Sequence, residues 1–169
     1  MMVNRELEVL AGEVGAALRA AGWYCACAES CTGGLLAAAL TTRPGSSAWF
    51  DRGFVTYSNA AKVEQLRVGT DTLERFGAVS EETAMEMAAG VLAVAGGAHL
   101  ALSTTGIAGP DGATPGKPVG MVCFGVARRA GPGIVTRAVT HVFEGDREAV
   151  RLGAVAFALR LALQDIKRD

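Results

Sequence analysis

Apolar residues recur at Val3, Leu7, Leu10, Val14, Ala17, Leu18 and Ala21, the period of an amphipathic helix, and Gly22 supplies a natural stop. The pattern then shortens. Residues 22–28 are apolar and free of breakers, which predicts a buried strand, and residues 35–40 are a Leu/Ala run that predicts a helix ending near 41–44. The β-branched and aromatic residues 53–57 predict a second strand, after which Ser58-Asn59 opens a helix over 60–66. Residues 68–77 read as a linker with one helical turn. Ser80 is the N-cap of a helix whose first-turn acids, Glu81 and Glu82, complement its dipole and whose apolar residues run over 84–94. Residues 99–104 predict a buried strand, followed by a long loop to Pro118. Residues 119–127 and 134–142 predict a hairpin about Gly131-Pro132-Gly133, and Asp146 caps a last helix to about Ile166.

Strands alternating with helices, then a hairpin and a final helix, predict a three-layer α/β/α sandwich with a mixed, mostly parallel central sheet. Neither a repeat nor a linker composition interrupts the pattern, so a single domain is expected over 1–169.

Composition narrows the function classes. The chain carries a formal net charge of −1 over 169 residues, with no cluster of Lys and Arg, which argues against nucleic acid or a membrane surface as partner. The paired Arg128-Arg129 reads as a solvated hairpin end. The most apolar run, 87–98, is shorter than the roughly 20 residues a bilayer span requires. Residues 1–13 hold Arg5, Glu6, Glu8 and Glu13, unlike a signal peptide, so a cytoplasmic protein is expected, with Cys25, Cys27, Cys31 and Cys123 as free thiols. Cys25-x-Cys27 with two His in the whole chain is a poor zinc set; neither a metal nor a cofactor is expected. The surplus of apolar residues permits a homodimer without requiring one.

The sixteen basic residues comprise thirteen Arg and three Lys. Against that background a Lys points to chemistry that Arg cannot do, such as losing its proton. Lys117 lies in a Gly/Pro loop and Lys167 at the end of the last helix. Lys62 is in an organised segment, although an exposed Lys on a solvated turn is the plainer reading. The stretch Ala28-Glu29-Ser30-Cys31-Thr32-Gly33-Gly34 joins a strand to a helix through small and hydroxyl residues. There the first helical N–H groups would face a pocket with Ser30 at its mouth. Simple capping explains the same composition. Thr105-Gly106 repeats the theme at the end of the 99–104 strand, a composition suited to an oxyanion or phosphate. Arg147 and Arg151, one turn apart at a helix start, read either as a phosphate clamp or as partners of Glu144 and Glu148. Neither His99, in a predicted buried strand, nor His141, near a strand end, is well placed as a base. What remains for a metal-free hydrolase is a Ser-Lys arrangement: Ser30 attacks, Lys62 takes its proton, and Tyr57 relays or orients it.

Four stretches closely resemble the signatures of the CinA C-terminal domain family: residues 28–34, Tyr57-Ser58-Asn59-Ala60-Ala61-Lys62, Ser103-Thr104-Thr105-Gly106-Ile107-Ala108-Gly109-Pro110, and Gly145-Asp146-Arg147. The likeness covers nearly the whole chain, in order. Thr104 is the one departure, where a small or apolar residue is equally familiar. The resemblance implies hydrolysis of the carboxamide of nicotinamide mononucleotide to nicotinic acid mononucleotide and ammonia, through Ser30 and Lys62 with Tyr57 nearby. The second domain of longer family members, and its separate pyrophosphatase activity, are not carried over. Such a substrate fits the residues. Its pyridinium charge activates the carboxamide and favours a neutral Lys62, and Arg147 would hold the 5′-phosphate. Thr32, Gly33, Gly34, Thr105 and Gly106 would line the rest of the pocket. A non-catalytic nucleotide-binding domain and an amidase for another small amide are the alternatives.

Overall fold

A computed structural model describes residues 3–167; Met1 and Met2, at the head of the stretch weighed as a signal peptide, and the last two residues lie outside the described residues. The first helix, α1 (Arg5–Ala21), starts where Asn4 accepts a hydrogen bond from Leu7 N–H (3.0 Å) and ends at Gly22 in the left-handed region (φ 68°). Trp23 N–H turns back to Leu18 O (2.9 Å), which delays the first strand, β1 (Cys25–Glu29), to three residues beyond the expected start. Then follow α2 (Leu35–Leu40), β2 (Phe50–Val55), α3 (Asn59–Leu66), α4 (Thr70–Phe76), α5 (Glu81–Val94), β3 (Leu100–Gly106), β4 (Met121–Ala130), β5 (Gly133–Val142) and α6 (Arg147–Ile166).

The sheet order is β2-β1-β3-β4-β5. β2, β1 and β3 pair in parallel, while β4 runs antiparallel to both β3 and β5. Four of the five strands therefore point the same way, as the alternation of elements predicts. The period-2 alternation of strands divides two cores. Cys25, Cys27, Leu100, Leu102, Val122 and Phe124 face the layer of α1, α2 and α6. The opposite face is nearly all small, with Ala26, Ala28, Ala101 and Ala127 packed against α5 and the ends of α3 and α4. That smallness lets α5 lie directly on the strands. A Cβ at Gly125 would fall 2.1 Å from Ala84 O, and Ser103 Oγ donates to the same carbonyl at 2.6 Å. Fully buried Leu7, Leu18, Leu36 and Leu159 fill the other side, each contributing about 1.5–3 kcal/mol.

Two expectations are corrected. The 68–77 linker holds a helix, α4, because Glu86 on α5 accepts hydrogen bonds from Gly69 N–H (2.7 Å) and Thr72 Oγ1 (2.5 Å) and so caps it from another element. The hairpin strands run on through the Arg pair, and Arg129 is not a solvated end. Its guanidinium donates to the carbonyls of Leu92, Ala95 and Ala98, tying off the C-terminus of α5. Among the described residues, no helix is long and apolar enough to cross a membrane.

Candidate active site

The parallel strands β1, β2 and β3 end at one edge of the sheet, where crevices in such sheets receive ligands. Glu29 closes β1, and its side chain turns towards α2. The carboxylate, 1% exposed, accepts from Thr32 Oγ1 (2.6 Å) and from the N–H groups of Gly34 (3.0 Å), Leu36 (2.9 Å) and Ala37 (2.8 Å). An internal anion thus occupies the start of α2, where the helix dipole favours it. The turn between them needs a left-handed backbone at Gly33 (φ 56°) and Gly34 (φ 99°).

This overturns part of the expected pocket. Gly34 N–H is committed to Glu29, and Gly33 N–H donates to Ser30 O (3.0 Å), so neither glycine offers its N–H to a ligand. Thr32 is 0% exposed and its hydroxyl is shared between Glu29 and Thr104 Oγ1 (2.7 Å), so the side chain is structural. Among the described residues, the N–H of Thr32 carries no hydrogen bond, and that of Cys31 reaches only its own sulfur. Thr105 is corrected too. Its hydroxyl donates to Ala78 O (2.7 Å) on the α5 side, and the ladder phase set by Ile107 N–H to Met121 O places its backbone in the β3–β4 pairing. By the same phase the backbone of Gly106 points towards the end of β1, where the Ser30 turn begins.

Ser30 and Lys62, thirty-two positions apart, meet. Lys62 Nζ lies 3.1 Å from Ser30 Oγ, 2.8 Å from Thr56 O and 3.3 Å from Tyr57 O. α3 delivers the amine because Ser58 caps the helix by accepting from Ala61 N–H (3.1 Å), which puts Lys62 in its first turn beneath the end of β2. Lys62 is 1% exposed and its amine has no carboxylate partner among the described residues. Burial pushes its pKa down, opposed by the neighbouring Cys31. The two carbonyls can only accept. A neutral amine therefore spends both N–H groups on them and presents its lone pair to Ser30, while the ammonium form donates to all three oxygens. Both protonation states fit without movement.

Tyr57 joins this site by its carbonyl. Its ring is 58% exposed and its hydroxyl accepts from Arg147 Nη2 (3.0 Å), not from Ser30 or Lys62, so the expected proton relay is not formed. Arg147 also donates to Gly109 O (2.9 Å), linking the β2–α3 junction, the loop after β3 and the start of α6. Arg151 does not join it in a clamp: its Nη2 donates to Thr32 O (3.1 Å), and its buried Nε has no partner. Neither arginine has an ion pair among the described residues. Cys31, next to the nucleophile candidate, is buried and its thiol is pushed up to about 12, so it is no competitor at neutral pH. His99 is held at the opposite end of β3, its Nδ1 accepting from Tyr24 N–H (3.1 Å), and His141 packs against Phe143 and Phe157.

The four stretches singled out in the sequence therefore gather at one sheet edge and the facing start of α6. A family model, the CinA C-terminal domain, matches residues 7–166. The chain belongs to the CinA C-terminal domain family. It is similar to the nicotinamide-nucleotide amidohydrolase PncC of Enterobacter agglomerans, 57% identical over 168 residues that cover 99% of this chain and 100% of that one. It is also similar to the protein of the same name from Escherichia coli strain K12, 50% identical over 168 residues and covering 99% of each. Among solved structures, the competence damage-inducible protein A of Klebsiella pneumoniae superposes with a TM-score of 0.89 at 41% identity, covering 96% of this chain and 99% of the other. Within this CinA domain, Glu29 is the residue that sequence reasoning passed over. Its signal was an acid closing an apolar run immediately before a Gly-Gly helix start.

Proposed function

We propose that this CinA domain is a nicotinamide-nucleotide amidase, hydrolysing nicotinamide mononucleotide to nicotinic acid mononucleotide and ammonia in the cytoplasm. The observation that carries the reading is the buried Lys62 amine, 3.1 Å from Ser30 Oγ and, among the described residues, without a carboxylate to hold its proton. Neutral Lys62 takes the Ser30 proton as Oγ attacks the carboxamide carbon. The N–H groups of Cys31 and Thr32 serve the oxyanion, the residue after the nucleophile being a usual donor. Protonated Lys62 returns the proton to the leaving nitrogen, ammonia departs, and a Ser30 ester remains. Water, deprotonated by Lys62, releases the acid. The substrate's pyridinium charge favours both the attack and the neutral amine.

Purified protein, without added metal, is expected to release ammonia stoichiometrically with nicotinic acid mononucleotide, and Ser30→Ala to release none. Full activity in Ser30→Ala would end the proposal.

Arg147 binds the 5′-phosphate in this reading. Its present acceptors, a tyrosine hydroxyl and a backbone carbonyl, are neutral, and a phosphate is a stronger partner for a guanidinium. Arg147→Ala is expected to raise KM about 10- to 100-fold, as loss of a charge-assisted contact of about 1.5–3 kcal/mol predicts. The change in kcat should be much smaller. Steady-state kinetics in which kcat falls as far as KM rises would count against the phosphate role.

A further inference from the structure

Arg151, on the second turn of α6, crosses to the turn that carries Ser30. Its Nη2 donates to Thr32 O (3.1 Å) and lies so close against Gly33 that a Cβ there would fall 3.3 Å away. The guanidinium has no ion pair among the described residues, and its Nε is buried without a hydrogen-bond partner. A half-buried charge held on one neutral carbonyl is a costly tether, since a neutral donor would make the same bond.

Thr32 is pinned at nearly every polar atom. Its hydroxyl bonds to Glu29 and Thr104, its carbonyl accepts from Leu35 N–H (3.1 Å) as well as from Arg151, and Gly33 N–H closes the turn on Ser30 O. Of the N–H groups from Ser30 to Leu35, that of Thr32 alone is without a hydrogen bond among the described residues. With the carbonyl, the side chain and the enclosing turn held, the direction of this free N–H is held too. The Arg151 charge also reaches beyond its hydrogen bond. At Cys31, whose thiol burial pushes up to about 12, it pulls the other way, favouring an anion beside the nucleophile candidate.

Building on the amidase reading, on which this role depends, we propose that Arg151 is a positioning residue for the oxyanion. Its guanidinium holds Thr32 O and so aims the Thr32 N–H, and its unneutralised charge stands behind the same turn as negative charge develops on the carboxamide oxygen. Donors and charges fixed in advance act most strongly where water is excluded, and need no reorganisation as the oxyanion forms. Arg151 should therefore act on kcat, where Arg147 acts on KM.

Ammonia release from nicotinamide mononucleotide by Arg151→Met and Arg151→Lys tests this. The methionine variant should lose about 10- to 100-fold in kcat, less than removal of a direct oxyanion donor, with KM within about threefold of the parent. Arg151→Lys, which restores the charge, should recover part of that loss, and circular dichroism checks that both variants fold. Labelling of Ser30 by a phosphonofluoridate, followed by mass spectrometry, is a second readout. Ser30 Oγ displaces fluoride from phosphorus, the phosphoryl oxygen uses the oxyanion donors, and no nucleotide need bind. Arg151→Met should be labelled at least about tenfold more slowly than the parent, and Arg147→Ala at the parental rate. The proposal is overturned if Arg151→Met keeps the parental kcat and labelling rate, if its loss falls on KM at least as much as on kcat, or if the lysine variant is as slow as the methionine one. A parent whose Ser30 is labelled in an Arg151-dependent way, yet releases no ammonia, would end the substrate reading and support the role of Arg151. A parent inert in both assays would end both.

Discussion

Lys62→Met should fold and should release ammonia at least about 10³-fold more slowly than the parent, the size of loss seen when one member of a nucleophile–base unit is removed. Methionine keeps the unbranched stem and the buried volume but has neither charge nor lone pair for Ser30. Lys62→Arg should be equally inactive, since guanidinium keeps its proton at any accessible pH. Stability carries a second, independent signature. Burial lowers the folded-state pKa of Lys62, whereas in the unfolded chain it titrates near 10.4. Between those two values the unfolded chain binds a proton that the folded chain does not, so the parent's stability rises with pH through that window. Below the window both states are protonated, and the cost of burying the charge is fully present. Relative to the parent, Lys62→Met should therefore be most favoured at low pH and lose that advantage as pH climbs towards 10. The parent's kcat/KM should rise with pH below that window and level off on entering it, because the neutral amine is the active form. Urea unfolding and ammonia release measured from pH 6 to 10 check both. A parent whose rate and stability show no Lys62-dependent rise with pH would remove the base assignment.

The encounter of Ser30 with Lys62 was legible in the sequence because each sits at a strand end followed by its own helix start, and parallel strands bring such ends to one edge. The scarcity of Lys among basic residues added the chemical hint. The layered α/β architecture was legible for the same reason, through the switch of apolar period between helices and strands. What stayed hidden depended on partners distant in sequence. α4 is capped by Glu86, and Arg129 folds back on the end of α5. Thr105 looked like a ligand donor because its neighbours are small and polar, but strand alternation sends its hydroxyl to Ala78 O, and period 2 alone does not say which face is the pocket. Tyr57 was expected to act through its phenol, but its backbone carbonyl faces Lys62 while the phenol reaches Arg147. The glycines after Ser30 were read as donors, whereas their positive φ is what the turn needs and an internal carboxylate has taken the N–H groups beyond it.

That carboxylate is the basis of the other large effect. Glu29→Ala should destabilise the fold by at least about 3 kcal/mol, since it strips a buried hydroxyl and three backbone N–H groups of their acceptor, each worth roughly 1–3 kcal/mol when left unpaired. Glu29→Gln should cost about 1–3 kcal/mol. Its one carbonyl oxygen can take the three donors now on Oε2, but its amide then sets N–H against the N–H of Ala37. Domains of this size have roughly 5–15 kcal/mol in all, so the alanine variant stands close to unfolding and the glutamine variant is the informative one. Because Ser30 is held by the same turn, Glu29→Gln should lose kcat and stability together. Lys62→Met loses activity while its stability follows a different pH course. Urea unfolding and ammonia release measured on both variants separate the cap from the base. A Glu29→Gln protein with parental stability would mean that α2 does not depend on this carboxylate, and one with parental stability but no turnover would move Glu29 from the cap into the chemistry.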